Sequence, residues 1–224
     1  MTHVLVLTAV DVEARGLARH LSLDSVPGAE WPHYRSGAIE VACVGLRAAY
    51  LAARAAGWRR PALVLAAGAC GALAPSLAVG DLVVPEAVRT ESGTTYATAA
   101  AAPLQRAGTI LSVSEVVATA AEKARLWLAS NAVAVDMESA VIIEWARAEG
   151  LRAAVVRAVS DAADAGVPPA LAALVGPDGR VRRAGALRLA LTEPARLADA
   201  VALGRATAVA IRTVAAAVAR VARA

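Results

Sequence analysis

The run Val156-Arg157-Ala158-Val159-Ser160-Asp161-Ala162-Ala163-Asp164 is a Val-rich strand signal that ends in Ser-Asp. Earlier, Ala134-Val135-Asp136-Met137-Glu138-Ser139-Ala140 joins a second apolar run to carboxylates and leads into a helix signal. Together they place acids at the C-terminal edges of a sheet, where α/β enzymes keep their chemistry. Outward from these two stretches, apolar runs of strand length alternate with Ala/Leu/Arg segments of helical period, which argues an α/β fold. Strands are expected near 3–8, 39–44, 62–67, 81–84, 109–113, 132–136 and 153–159, and helices near 11–21, 46–57, 121–129, 137–149 and 205–222. Gly150 stops the fourth helix, Pro168-Pro169 breaks the chain after the Ser-Asp strand, and Gly176-Pro177-Asp178-Gly179 reads as a hairpin turn.

With 224 residues and 58% hydrophobic content the chain can bury one substantial core, and nothing in it reads as an interdomain linker. A single domain over 1–224 is expected, with 205–222 as a C-terminal helix. Much of the apolar fraction is Ala, Phe is absent, and no strongly apolar uncharged run reaches the length of a spanning helix, so a soluble protein is expected. Met1-Thr2-His3-Val4-Leu5-Val6-Leu7 reads as a first strand rather than a signal peptide, which suits the cytoplasm. Cys43 and Cys70 lie in separate apolar segments without metal-like spacing, so no zinc or other metal site is expected.

The net charge of +4 invites a nucleic-acid reading, but the arginines are scattered and no aromatic-interleaved basic motif accompanies them. Arg205, Arg212, Arg220 and Arg223 are the exception, because at about 100° per residue they share one stripe of the C-terminal helix. A solvated face is the plain reading of that stripe; contact with an anionic membrane surface is the sharper one.

Between a Leu/Val strand and Val79-Gly80-Asp81-Leu82 lies Gly68-Ala69-Cys70-Gly71-Ala72-Leu73-Ala74-Pro75, where glycines let backbone approach a ligand. A dinucleotide fingerprint needs a third glycine and an immediate helix; here Pro75 and a new strand follow. Cys70 is not read as a nucleophile, since His3, His20 and His33 all lie near the N-terminus with no evident pairing to it. Ala97 to Ala102 is of low complexity and is expected to be a mobile loop. Taken alone, Asp136 reads as a helix N-cap and Glu13 as an ordinary first-turn acid.

In order and spacing, residues 68–84, Val135-Asp136-Met137-Glu138-Ser139-Ala140 and Arg157-Ala158-Val159-Ser160-Asp161-Ala162-Ala163-Asp164 resemble the three signature segments of the nucleoside phosphorylase and nucleosidase superfamily. The resemblance implies a single-domain three-layer sandwich, with a mixed, twisted central sheet flanked by helices, that assembles as a homo-oligomer. It implies Asp161 as the acid at the purine, Glu13 as the base for water, Met137 and Glu138 on the ribose hydroxyls, and Val116, Val117 and Ser160 around the base. Gly68, Ala69 and Gly71 would form a glycine loop near the sugar, and no cofactor is implied.

Related phosphorylases carry an Arg and a Ser in or just before the glycine segment; Ala66 and Ala69 stand at those positions here, which favours water over phosphate as nucleophile. The region from Glu86 to Thr109 is short compared with the cover loop of the methylthioadenosine nucleosidases, although closure of 86–108 as a lid stays open. Glu122-Lys123, Pro168-Pro169-Ala170-Leu171 and the segment 176–181 resemble the hopanoid-biosynthesis-associated members, whose activity is removal of adenine from adenosylhopane. That likeness implies a lipid-linked nucleoside substrate handled at a membrane surface. A purine nucleoside phosphorylase and a nucleoside-binding protein without catalysis are the alternatives.

Overall fold

Residues 3–167, 174–182 and 194–224 are described by a computed structural model. The strands are β1 Val4–Thr8, β2 Asp24–Ser25, β3 His33–Ser36, β4 Ile39–Cys43, β5 Leu63–Ala72, β6 Leu82–Val83, β7 Ala87–Thr90, β8 Thr95–Ala97, β9 Thr109–Ser112, β10 Ala134–Asp136 and β11 Ala153–Asp161. The helices are α1 Asp11–Leu21, α2 Leu51–Ala55, α3 Ala120–Ser130, α4 Ser139–Ala148 and α5 Pro194–Arg223. One mixed sheet runs β2-β3-β4-β1-β5-β10-β9-β7-β8, with β11 on β5 and β6 on β11.

Period-2 patterning sorts the sheet's two faces. Val4 and Val6 of β1, Leu65 of β5 and Val156 of β11 pack with Ala14 and Leu17 of α1 and Ile211, Val214 and Val218 of α5. Leu5 and Leu7, Val64 and Ala66, and Val155 and Val159 point the other way, onto Leu51 of α2 and Ile142, Ile143 and Ala146 of α4. The result is three layers, helices on each side of a mixed sheet, as expected. Each fully buried Val or Leu stabilises this arrangement by about 1.5–3 kcal/mol before conformational entropy is counted.

Long β5 positions the site. Its first half pairs with β1, whereas Gly71 and Ala72 pair with Val135 and Ala134 of β10, and β11 runs parallel along it from Ala153 to Asp161. The C-terminal ends of β1, β10 and β11 therefore meet beside Gly68–Gly71 of the same strand. A strand was expected to stop near 67 with a glycine loop beyond; instead the glycines continue β5. Small residues suffice there because backbone pairing to two partners, not side-chain bulk, holds the segment.

Other readings shift as well. The helix expected over 46–57 is a 3-10 turn, Leu46–Ala48, followed by the short α2, since Arg47 and Ala48 take positive φ. Residues 86–108 hold two strands, β7 and β8, and are tied down further: the Thr98 hydroxyl donates to Pro85 O at 2.6 Å, and Ala99 N donates to Ala153 O. Helix α5 begins earlier than 205, and Ala198–Arg223 is long and apolar enough to cross a membrane, with a mean hydropathy of 1.5. Its Ile211, Val214, Ala215 and Val218 are nevertheless buried in the core, while Arg205, Arg212, Arg220 and Arg223 are all exposed. The hairpin at 176–179 forms, with Val175 bridged to Val181 and Gly176 N donating to Arg180 O. It seats on the loops after β1 and β4: Gly179 O accepts from Asp11 N and Pro177 O from Leu46 N. A Cβ on Gly179 would lie 2.3 Å from Ala9 O, so only glycine permits this approach. The Pro168-Pro169 break falls outside the described residues.

Candidate active site

Glu13 comes from the first turn of α1 and is buried. Its Oε2 accepts from Ala9 N (3.1 Å) and Val10 N (3.2 Å), and its Oε1 accepts from Ala69 N of β5 (2.8 Å). The carboxylate can cross to β5 because Gly68 has no side chain: a Cβ there would sit 2.5 Å from Oε1 and 3.0 Å from Arg157 Nη1, on a residue with φ +145°.

Arg157 is the hub the sequence reading passed over. It occupies the row of Val155 and Val159 on β11, is 1% exposed, and bonds Asp136 Oδ2 at 2.6 Å and Glu138 Oε2 at 3.3 Å. Its Nη1 donates to Ala69 O at 3.3 Å. The N-cap position of α4 falls on Glu138, not on Asp136 as expected; Asp136, two residues earlier, still accepts from the backbone N and hydroxyl of Ser139, the first residue of α4, while it pairs with Arg157. Glu138 Oε1 accepts from the backbone N of Arg47 (3.0 Å), whose φ of 54° aims that N–H inward instead of continuing a helix. The Arg47 guanidinium reaches Ser114 O at 3.2 Å.

Asp161 ends β11 beyond a bulge. Its Oδ2 accepts from Lys123 Nζ at 2.5 Å, and Ser160 Oγ lies 2.7 Å from its Oδ1 and 3.2 Å from Cys70 O. Lys123, on α3, is fully buried and was likewise given no role by the sequence. Burial drives the Cys70 thiol far above its ordinary value, which makes it inert.

These groups open into one cavity of about 200 Å³. Glu13, Asp136, Met137, Glu138, Ser160 and Asp161 line it, as do Ala69, Gly71, Val116 and Val117; Gly68 backs Glu13 without reaching the surface. No lining residue comes from 86–108. Glu115, Lys123 and Arg157 line it too, and the rest of the wall is mostly apolar, from Val10, Leu46, Val113, Val135 and Val167. Among the lining residues five carry carboxyls and two carry cations, and both cations are already ion-paired.

Three buried carboxylates around one guanidinium leave excess negative charge. Burial pushes Glu13 up from its ordinary value, against the pull of Arg157 and of three backbone N–H groups. Glu138 is pushed up to about 7 by burial, which Arg157 opposes and the charges of Asp136 and Glu13 reinforce. Asp136 lies closer to the guanidinium than Glu138, 2.6 Å against 3.3 Å, so Glu138 is the less compensated of the two. The same three acids outweigh burial and hold Arg157 firmly protonated. A folded-state value raised from 4.5 to about 7 means Glu138 contributes stability fully below 4.5 and loses it as pH rises through about 7. The thermal midpoint of the wild type relative to E138Q should therefore fall between about pH 5 and about pH 8. A flat or rising difference in that window would show that Glu138 carries no such proton.

The family model for the phosphorylase superfamily matches residues 4–105 and 95–191. No curated protein sequence matches the chain. Among solved structures, a Helicobacter pylori 5′-methylthioadenosine/S-adenosylhomocysteine nucleosidase variant with 5′-methylthioadenosine in its active site superposes with a TM-score of 0.68 at 16% identity, covering 99% of this chain and 98% of that one. Futalosine hydrolase of the same organism gives 0.68 at 18%, covering 98% and 97%. Arabidopsis thaliana 5′-methylthioadenosine nucleosidase gives 0.69 at 16%, covering 99% and 96%. At these identities the likeness is one of fold.

Proposed function

The chain belongs to the phosphorylase superfamily, and we propose that it is a nucleosidase that hydrolyses the N-glycosidic bond of a 5′-substituted adenosine and releases adenine. In this reading Asp161 is the acid at the base, Glu13 removes the proton from the attacking water, and Met137 and Glu138 hold the ribose. Val116 and Val117 flank the purine beside Ser160, and the β5 backbone from Gly68 to Gly71 underlies the sugar. A purine is a poor anionic leaving group, so protonation at N7 is worth roughly 10²–10⁴-fold, and the carboxylates below the ribose offset the positive charge that develops as the bond breaks.

The observation that carries the choice of water over phosphate is the charge of the cavity. A phosphate dianion needs an unneutralised cation. Among the lining residues, Arg157 is spent on Asp136 and Glu138, and Lys123 on Asp161. Methyl groups stand at Ala66 and Ala69, and Ala69 N already donates to Glu13. Water, neutral and able to donate to Glu13, meets no such repulsion.

Val10, Leu46, Val113 and Val167 favour an apolar 5′ substituent, and the exposed Arg205, Arg212, Arg220 and Arg223 favour a substrate met at an anionic membrane surface. Adenosylhopane combines both properties. Purified protein incubated with 5′-methylthioadenosine, adenosine and a 5′-alkyl adenosine, with and without phosphate, should release adenine and a free reducing sugar at phosphate-independent rates that rise with the apolar 5′ group. A sugar 1-phosphate among the products would make the protein a phosphorylase, and a preference for unsubstituted adenosine would remove the lipid-linked substrate. Binding of these nucleosides without any product would leave a non-catalytic binding protein.

A further inference from the structure

The side chain least explained by packing is Lys123. It is fully buried, on the second turn of a helix whose start is locked by a reciprocal pair: Thr119 Oγ1 accepts from Glu122 N at 3.2 Å, and Glu122 Oε2 accepts from Thr119 N at 3.0 Å. A buried ammonium is costly unless every donor is used. Here Nζ reaches Asp161 Oδ2 at 2.5 Å, Ala162 O at 2.7 Å and Asp161 O at 3.4 Å. All three donors are thus occupied, and two of the contacts are to the residue placed at the base; none remains for a substrate. Asp161 is also fixed from its other side by the Ser160 hydroxyl, 2.7 Å from Oδ1.

Resting on the nucleosidase reading, we propose that Lys123 is the positioning residue for the acid at the base: it holds the Asp161 carboxylate against Gly71 and passes it the proton that Asp161 delivers to purine N7. As the C1′–N9 bond breaks, its electron pair stays with the purine. N7 takes a proton from Asp161, Asp161 takes one from the Lys123 ammonium, and Lys123 is left as the neutral amine. The attacking water gives its oxygen to C1′ and a proton to Glu13. Exchange with solvent then removes that proton from Glu13 and returns one to Lys123, so charge and protons balance over a turnover. The arrangement also explains why glycine stands at position 71, where a Cβ would lie 2.9 Å from Asp161 Oδ2.

The test is a double-mutant cycle of K123M, D161N and K123M/D161N, read as single-turnover release of adenine from 5′-methylthioadenosine, with KM and thermal midpoint measured for each. K123M should lower kcat by about 100-fold with KM little changed, and should cost nothing further in the D161N background, because Lys123 acts only through Asp161. Independent, multiplying losses would overturn the proposal. A second probe is 4-nitrophenyl β-riboside, whose phenolate leaves without protonation: K123M should hydrolyse it within a few-fold of the wild-type rate, and an equal loss on both substrates would mark Lys123 as merely structural. If the wild type releases adenine but no nitrophenolate, the cycle alone decides. If K123M does not fold, K123R keeps the charge but misplaces it and should show the same purine-selective loss, while K123M/D161N carries no unpaired ion. Wild-type protein that releases neither product would instead overturn the nucleosidase reading, and this inference with it.

Discussion

Glu13→Gln is expected to slow adenine release by roughly 10²–10⁴-fold while nucleoside affinity changes only a few-fold. The carboxylate is buried, and burial makes it a stronger base than an exposed glutamate, which suits removal of a proton from water near neutral pH. Three backbone N–H groups fix both oxygens, two on Oε2 and one on Oε1, which leaves a lone pair on Oε1 for the water, so the base is oriented without being consumed. An amide in its place cannot take the proton. Its NH₂ must also face either Ala69 N–H or the Ala9 and Val10 N–H pair, so a stability loss of about 1–3 kcal/mol should accompany the kinetic one. Glu13→Asp separates the two effects: it keeps a base but withdraws it from Ala69, and should retain more activity than Gln. Equal residual rates for Gln and the wild type would show that another group activates the water.

Much of this site was legible because its acids interrupt apolar runs. Val135-Asp136-Met137-Glu138 and Val159-Ser160-Asp161 announce carboxylates at strand ends, and β1, β4, β9 and β11 are continuous buried strands with clear bounds. The missed strands are those where burial leaves no alternating pattern: Asp24–Ser25 is exposed, β3 (His33–Ser36) buries only its first residue fully, and β7 and β8 are short runs dominated by Ala, Thr and Arg. The extension of β5 through Gly68 and Gly71 was hidden because glycine lowers strand propensity, while the pairing that overrides it comes from β10 and β11, distant in sequence. Arg157 did leave a signal. A charge at an inward position of a strand that is apolar on both faces is tolerable only with partners, and the Asp136–Glu138 pair offered them. Lys123 entered only through a family resemblance of Glu122-Lys123 and left no sign of burial, since a lysine on a helix is by default solvated; its contacts to Asp161 and Ala162 at the end of β11 make it otherwise.

Removing Arg157 should do the largest damage to stability. Arg157→Met keeps an unbranched apolar stem but leaves Asp136, Glu138 and Glu13 facing one another without a counter-charge, in a region where both Asp136 and Arg157 are nearly inaccessible to solvent. Breaking a buried ion pair from one side costs about 3–5 kcal/mol. The loss must depend on pH. Without the guanidinium the folded-state values of these acids move up, so each favours folding when protonated and opposes it when ionised; the cost is smallest below the ordinary carboxylate range and grows as pH rises through neutrality. Urea unfolding should therefore show a small deficit near about pH 5 and the full deficit near about pH 8. Neutralising the partners as well, in R157M/D136N/E138Q, should recover much of the loss, because the penalty lies in stranded charges and not in a missing attraction. A deficit under about 1 kcal/mol at the higher pH, or one that the triple variant deepens, would mean that the acids are solvated or neutralised some other way. In that case the excess negative charge argued to keep phosphate out of the cavity would have to be withdrawn with it.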